Sequence, residues 1–254
     1  MADPFADTVA VLRAAGCVFA EDEARLLLDA GGDLDALLAR RVAGEPLEWV
    51  LGWAEFADLE VVVRPGVFVP RRRSELLAAE AIARLRPASV AVELCCGAGA
   101  IAAAILHEVP FVEVHASDVD PLAVACAREN VPNGHVHEGD LYDALPADLA
   151  GRIDVLVANT PYVPTDEVAL MPPEARDHEP RQALDGGPDG LDLLRRASAG
   201  ARRWLAPGGH LLIEVSERQL PVATAVFEAD GLVTSSATNA ELGATVVVGR
   251  WDPA

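Results

Sequence analysis

One stretch of the sequence decides the fold: Val92-Glu93-Leu94-Cys95-Cys96-Gly97-Ala98-Gly99-Ala100. It overlaps the short apolar run Val90–Leu94, which is typical of a buried strand, and it leads into an alanine-rich helix that continues to about His107. Glycines at a strand-to-helix turn let the backbone approach a ligand closely. The stretch therefore predicts a βα unit with a ligand at its turn.

The chain after this turn alternates between strands and helices. Further strands are predicted at Val112–Ala116, Ile153–Ala158, His210–Val215 and Ala244–Gly249, the last as an apolar edge strand. Further helices are predicted at Ser74–Leu85 with Ser74 as the N-cap, Pro121–Asn130, Leu191–Leu205 and Leu220–Ala229. Such alternation indicates βαβ units, and we expect an α/β fold with a doubly wound parallel sheet.

The first part of the chain has a different pattern. Three short amphipathic segments at 7–15, 21–30 and 34–43 predict a small helical bundle that needs something to dock on. The extended segments Leu59–Val63 and Val67–Val69, separated by Arg64-Pro65-Gly66, predict a hairpin. We therefore expect an N-terminal helical region at 1–45, a hairpin linker at 46–73 and the α/β domain at 74–254.

Composition excludes several functions. The 254 residues carry 20 basic and 40 acidic side chains, for a net charge of -20, and contain no lysine. A Schiff-base lysine and a P-loop lysine are therefore excluded, and nucleic-acid binding is disfavoured. The cysteines form no Cys-x-x-Cys pair and no histidine cluster has ligand spacing, so no metal site is expected. Because no leader pattern and no long apolar run occur, we expect a soluble, cytoplasmic protein without membrane contacts.

An acidic residue accompanies the glycine turn. Asp118 ends the next strand about 20 residues later, where a carboxylate can accept hydrogen bonds from ribose hydroxyls. A nucleoside-containing cofactor is therefore predicted. The third glycine of the dinucleotide fingerprint is replaced by Ala102, so the loop alone does not separate NAD from S-adenosylmethionine. A glycine-rich turn without a ligand is the alternative.

A second loop follows the strand Ile153–Ala158 and reads Asn159-Thr160-Pro161-Tyr162. In an open α/β sheet this position lies beside the glycine turn, at the carboxyl ends of the strands. Asn159 offers a side-chain carbonyl, Thr160 a backbone carbonyl and Tyr162 a flat face. Two acceptors and an aromatic plane suit a planar –NH2 group, whereas the alternative is an Asx-type turn with a packed tyrosine.

This loop resembles the [N/D/S]-P-P-[Y/F/W] motif of amino-methyltransferases. Further matches occur in order along the chain: Gly44-Glu45-Pro46-Leu47, Glu55-Phe56, Val69–Glu75, Gly139–Tyr142, His178–Arg181, Gly186–Leu191, Pro207-Gly208-Gly209 and Ile213-Glu214. From about residue 45 to 250 the chain is similar to the HemK/PrmC family of protein-(glutamine-N5) methyltransferases.

The resemblance implies a seven-stranded, mostly parallel Rossmann-like sheet and S-adenosylmethionine as the methyl donor, with S-adenosylhomocysteine as the product. It implies methylation of the glutamine in the Gly-Gly-Gln tripeptide of a class I peptide-chain release factor. The family's donor-binding positions fall on Cys95, Cys96, Gly97, Ala98, Gly99, Asp118, Leu141 and Asn159. Its catalytic, amide-binding positions fall on Asn159, Thr160, Pro161 and Tyr162.

The chain departs from the family pattern at four places. Thr160 replaces the first proline of the motif, and Cys95–Gly99 replaces Gly-Thr-Gly-Thr-Gly. Arg71–Ser74 replaces Arg-Pro-Asp-Thr, and about 45 residues precede Glu45-Pro46 where the family has nearer 75. Three other functions stay open: adenine-N6 methylation of nucleic acid, N- or O-methylation of a small molecule, and a donor-binding scaffold without activity.

Overall fold

The computed structural model describes residues 3–253. Its strands are β1 Trp53–Phe56, β2 Leu59–Val62, β3 Val90–Leu94, β4 Glu113–Asp118, β5 His135–Glu138, β6 Ile153–Ala158, β7 Leu205–Val215, β8 Val233–Asn239 and β9 Ala244–Arg250. Its α-helices are α1 Pro4–Ala14, α2 Ala20–Asp29, α3 Leu34–Val42, α4 Leu47–Leu51, α5 Glu75–Ile82, α6 Ala100–Glu108, α7 Pro121–Asn130, α8 Pro173–His178, α9 Asp192–Trp204 and α10 Leu220–Ala229.

The main sheet has seven strands in the order β5-β4-β3-β6-β7-β9-β8. The pairs from β5 to β7 are parallel, and β9 runs antiparallel to both of its neighbours. The predicted doubly wound, mostly parallel seven-stranded sheet is confirmed. The prediction of β9 as an edge strand is wrong, because β8 pairs along its outer side.

Both faces of the sheet are covered by helices. One apolar cluster joins the sheet to α5, α6 and α7, and a second joins it to α9 and α10. The alanine-rich α6 packs closely, with Ala102 fully buried. Within residues 3–253, no helix is both long and apolar enough to cross a membrane.

The linker hairpin differs from the predicted one. β1 pairs with β2 in antiparallel register, and the two turn residues Ala57 and Asp58 have φ of 49° and 61°. The predicted pairing of Leu59–Val63 with Val67–Val69 is wrong. Arg64–Gly66 does form a turn, but the Val69 amide donates to the Glu179 carboxylate instead of to a strand. The sequence has no Asn-Gly or Asp-Gly signal at 57–58, and the observed turn was missed for that reason.

Arg41 is one of the residues through which helices α1 to α4 contact the α/β part of the chain, and the buried Trp49 of α4 is another. Arg41 Nε lies 2.6 Å from Glu23 Oε2 on α2, and Nη1 lies 2.9 Å from Glu174 Oε2 on α8. The side chains of Arg41 and Glu23 are 10% exposed. The N-terminal helices are thereby fixed to the segment that precedes Glu179, while the predicted domain boundaries stay predictions.

Candidate functional site

Strand register brings the two predicted loops together. Leu94 at the end of β3 pairs with Ser117 on one side and with Ala158 on the other. The chain leaves β3 toward β4 on one side and later reaches β6 on the other, so β3 adjoins the point where strand order reverses. Crevices at such points bind ligands in open α/β sheets. The loops after β3, β4 and β6 therefore share one edge of the sheet.

A cavity of about 350 Å³ lies at this edge. It is lined by all but one of the predicted site residues, namely Cys95, Cys96, Gly97, Ala98, Asp118, Leu141, Asn159, Thr160, Pro161 and Tyr162. Gly99 does not line it. Instead Gly99 is the N-cap of α6 with φ of 77°, and a Cβ there would come within 3.1 Å of Ala127 Cβ.

The glycine turn binds the acidic residue of the next strand. The Gly97 amide donates to Asp118 Oδ2 at 2.8 Å, and the Asp120 amide donates to Oδ1 at 2.9 Å. Each carboxylate oxygen keeps a second lone pair, so the carboxylate can accept one hydrogen bond from each of the two ribose hydroxyls. Burial raises the pKa of Asp118. Leu141 also lines the cavity, with a φ of 48° and a side chain that is 6% exposed.

Cys95 occupies a backbone conformation that favours glycine. Its φ is 53°, and a left-handed backbone costs a residue with a Cβ about 1–2 kcal/mol. We expect Cys95→Gly to have a free energy of unfolding about 1 kcal/mol higher than Cys95→Ala. At buried Cys96, which is not left-handed, the order should reverse. Urea denaturation of the four variants checks this, and the same order at both positions would contradict it.

Glu93 is a buried acid to which no role was assigned from the sequence. It is 3% exposed on β3, lines the cavity, and its Oε2 accepts the Ala102 amide at 2.8 Å. Burial raises the pKa of Glu93 from 4.5 to about 8. The carboxyl is therefore largely protonated at neutral pH. A buried acid inside an apolar strand is the sequence signal that could have singled it out.

This pKa predicts a pH dependence of stability. A carboxyl whose pKa is higher in the folded chain than in the unfolded chain stabilises the fold. This stabilisation is complete below the unfolded pKa and is lost as pH rises through the folded pKa of about 8. The free energy of unfolding should fall from about pH 5 to pH 8, by an amount on the order of a few kcal/mol. Glu93→Gln should flatten the curve, and Glu241→Gln at an exposed turn should not. Identical curves for wild type and Glu93→Gln would contradict the assignment.

The second loop presents two hydrogen-bond acceptors. Asn159 Nδ2 donates to Ser74 Oγ at 3.1 Å, while Asn159 Oδ1 accepts no hydrogen bond from residues 3–253. Thr160 is 2% exposed, and its carbonyl oxygen likewise has no donor in the described chain. Ser74 was predicted as the N-cap of its helix, but its side chain makes no capping hydrogen bond. Its hydroxyl is engaged by Asn159 instead.

The loop at 159–162 is held in place by the segment at 184–190 and by Gln219. The Val163 amide donates to the Leu184 carbonyl, and Gln219 Nε2 donates to the Tyr162 carbonyl at 2.9 Å. Two glycines make this contact close enough. A Cβ at Gly186 would overlap the Pro161 carbonyl oxygen, and one at Gly190 would overlap that of Tyr162. The match at 186–191 therefore marks a packing requirement.

Two arginines of the basic stretch neutralise buried acids. Arg73 Nε lies 2.7 Å from Glu214 Oε1, and Arg71 Nη2 lies 2.5 Å from Glu179 Oε2. Burial raises the pKa of both carboxyls, and the arginines only partly offset this effect. Arg73 also stacks over Tyr162, with Cζ 5.1 Å from the ring centroid. These pairings could not be predicted from the sequence, because the partners are far apart in the chain.

The chain is similar in sequence to known methyltransferases. Residues 58–172 match the family described as the methyltransferase small domain. The chain is 43% identical over 197 residues to a release factor glutamine methyltransferase of Streptomyces coelicolor, covering 74% of this chain and 70% of that one. It is 37% identical over 199 residues to a protein of the same name from Geobacter sulfurreducens, covering 77% and 69%.

The chain also resembles a methyltransferase of a small amino acid and, in fold, a solved methyltransferase structure. The chain is 36% identical over 223 residues to the 4-amino-L-phenylalanine/4-methylamino-L-phenylalanine methyltransferase of Streptomyces pristinaespiralis, covering 80% of this chain and 76% of that one. Among solved structures, a methyltransferase from Pyrococcus furiosus aligns with a TM-score of 0.59 at 18% identity, over 77% of this chain and 90% of that one. This last likeness concerns the fold.

Proposed function

The chain belongs to the release factor glutamine methyltransferase family, and we propose that it methylates the side-chain amide nitrogen of a protein glutamine. The family predicted from the sequence motifs is confirmed. The chain is a methyltransferase, and its acceptor is proposed to be the Gly-Gly-Gln glutamine of a class I peptide-chain release factor. One observation carries this proposal: Asn159 and Thr160 line the same cavity as the glycine turn, and Asn159 Oδ1 and the Thr160 carbonyl oxygen accept no hydrogen bond from residues 3–253.

The residues at the glycine turn fit S-adenosylmethionine as the donor. The Gly97 amide and Asp118 form a paired unit whose carboxylate can hold ribose hydroxyls, and Leu141 supplies an apolar wall. The buried Glu93 also lines the cavity. The positive charge of a bound donor would favour the deprotonated form of this carboxyl. When bound, S-adenosylmethionine supplies an electrophilic methyl group, and S-adenosylhomocysteine is released. No group of three or more metal-ligating side chains is found between residues 3 and 253.

The chain's own contribution to the reaction is orientation. An amide nitrogen is a poor nucleophile because its lone pair is delocalised into the carbonyl. Asn159 Oδ1 and the Thr160 carbonyl can accept the two N–H bonds of the glutamine amide and fix its plane. Tyr162, whose pKa burial raises, presents a neutral ring to that plane. Proximity and preorganised hydrogen bonds of this kind need no strong base before attack.

The cavity has several apolar side chains in its lining. They are those of Phe56, Phe68, Met171, Pro180 and Leu184. An apolar lining suits the uncharged glutamine side chain. The net charge of -20 favours a partner with a basic surface, which agrees with a release factor and disfavours direct nucleic-acid binding. We expect the reaction to take place in the cytoplasm.

A methyl-transfer assay tests the proposal. Labelled S-adenosylmethionine is incubated with the protein and a recombinant class I release factor, beside the same factor with Gln→Ala in Gly-Gly-Gln. Label should appear on the unaltered factor alone. Equal label on both factors would overturn the assigned residue. No label on either, while calorimetry shows donor binding, would overturn the acceptor.

A second candidate function is N-methylation of a small arylamine. It is favoured by the similarity to the 4-amino-L-phenylalanine/4-methylamino-L-phenylalanine methyltransferase, which covers more of this chain than the Streptomyces coelicolor relative does. Thr160, which departs from the double-proline motif, is consistent with a changed acceptor. 4-Amino-L-phenylalanine is therefore the second acceptor in the assay, and label on it with none on the release factor would select this function.

A further inference from the structure

The buried Glu214 lies level with Asn159 at the edge of the sheet. Ala158 on β6 pairs with Ile213 on β7, so Asn159 and Glu214 are the next residues along two neighbouring strands. Glu214 is 1% exposed, and neither of its oxygens accepts a well-aligned hydrogen bond from the described residues. Ser74 is 3% exposed, and its hydroxyl accepts a hydrogen bond from Asn159 Nδ2. The same hydroxyl lowers the pKa of the Glu214 carboxyl, against the larger raising effect of burial.

The polarity of these three groups fixes one arrangement. A carboxylate can only accept hydrogen bonds, so it attracts the single rotatable proton of the Ser74 hydroxyl. The lone pairs of Ser74 Oγ are then left for Asn159, which must present Nδ2 rather than Oδ1. This orientation is the one observed. The opposite orientation would set the Asn159 amide protons against the N–H bonds of the acceptor.

We propose that Ser74 and Glu214 are positioning residues, which hold the Asn159 amide in the one orientation that presents Oδ1 to the methyl acceptor. This inference rests on the proposed function. Arg73 completes the arrangement, because its guanidinium lies against Glu214 and over the Tyr162 ring and balances the buried charge. The Glu214 carboxylate orients the Ser74 hydroxyl, and that hydroxyl orients the Asn159 amide. Of the three, only Asn159 contacts the acceptor.

Kinetics of a double-mutant cycle test the proposal. Ser74→Ala should lower kcat about tenfold to 100-fold, while donor Kd and acceptor KM change much less. Ser74→Thr keeps a hydroxyl and should restore kcat. Glu214→Gln, whose amide can donate to Ser74 and so permit the opposite orientation, should lower kcat about tenfold. The double variant should match Ser74→Ala alone, because Glu214 acts only through Ser74. Effects that multiply would overturn the inference.

A matched serine and a spectroscopic readout complete the test. Ser198→Ala removes a fully buried hydroxyl with no partner in the described chain, and it should leave kcat unchanged. The Asn159 side-chain NH2 resonance, assigned by its loss in Asn159→Ala, should exchange slowly in the wild type and rapidly in Ser74→Ala. If the wild type methylates neither acceptor, the proposed function fails, and this exchange still decides the orientation. Equal exchange in both proteins would overturn the inference.

Discussion

Replacing Asn159 with alanine is expected to lower kcat for methyl transfer about 100-fold to 1,000-fold. Asn159 lines the cavity, and the variant loses its side-chain carbonyl, which accepts no hydrogen bond from residues 3–253. A preorganised group that orients a weak nucleophile acts mainly in the transition state, so kcat should fall more than substrate affinity. Donor Kd should rise by less than about tenfold, since Asn159 is one of several residues around the donor.

A second asparagine is the matched control. Asn239 lies at the turn between β8 and β9, where Oδ1 accepts the amides of Glu241 and Leu242 at 3.0 and 3.1 Å. Asn239→Ala should lower the free energy of unfolding by about 1 kcal/mol and leave kcat at the wild-type value. Steady-state kinetics and urea denaturation of both variants measure the contrast. The amide-orientation mechanism is wrong if Asn159→Ala transfers methyl groups at the wild-type rate with donor bound.

The parts of the fold that the sequence predicted well are those with local signals. α7 and β6 have the predicted boundaries, because Asp120-Pro121 forms an N-cap with proline at the first position and 153–158 is an apolar run. β5 and β8 were missed. Both are edge strands with exposed polar side chains, so they have no apolar run, and only pairing with a neighbour makes them strands.

In the candidate site, too, the residues with local sequence signals were predicted and the residues placed by long-range packing were not. The loops at 95–99 and 159–162 were found because each follows a clear strand and carries residue types that favour a turn. Ser74, Arg73 and Glu214 were not assigned to the site. Their contacts join positions 85 residues apart, between Ser74 and Asn159, and more than that for Arg73 and Glu214. No local pattern sets such a pairing, which depends on how β6, β7 and α5 pack.

Replacing Gly190 with alanine is expected to reduce both activity and stability. Its φ is 78°, and a Cβ would overlap the Tyr162 carbonyl oxygen and lie 2.5 Å from Gln219 Nε2. The left-handed backbone alone costs about 1–2 kcal/mol, and the overlap with a packed backbone costs about 1–3 kcal/mol more. Because the overlapped carbonyl belongs to the acceptor loop, relief must move Asn159–Tyr162. A displacement of about 1 Å is enough to lower kcat about 100-fold.

Gly208 is the control that separates the cost of the left-handed backbone from the cost of the overlap. Its φ is 82°, close to that of Gly190, but no atom lies within 4 Å of a Cβ built there. Gly208→Ala should therefore lose only the backbone part of the stability, about 1–2 kcal/mol, and keep the wild-type kcat. Urea denaturation and single-turnover methyl transfer should show Gly190→Ala losing more on both measures. Equal losses in the two variants would mean that the loop at 186–191 does not position the acceptor loop, and the amide-binding geometry would then have to arise from β6 alone.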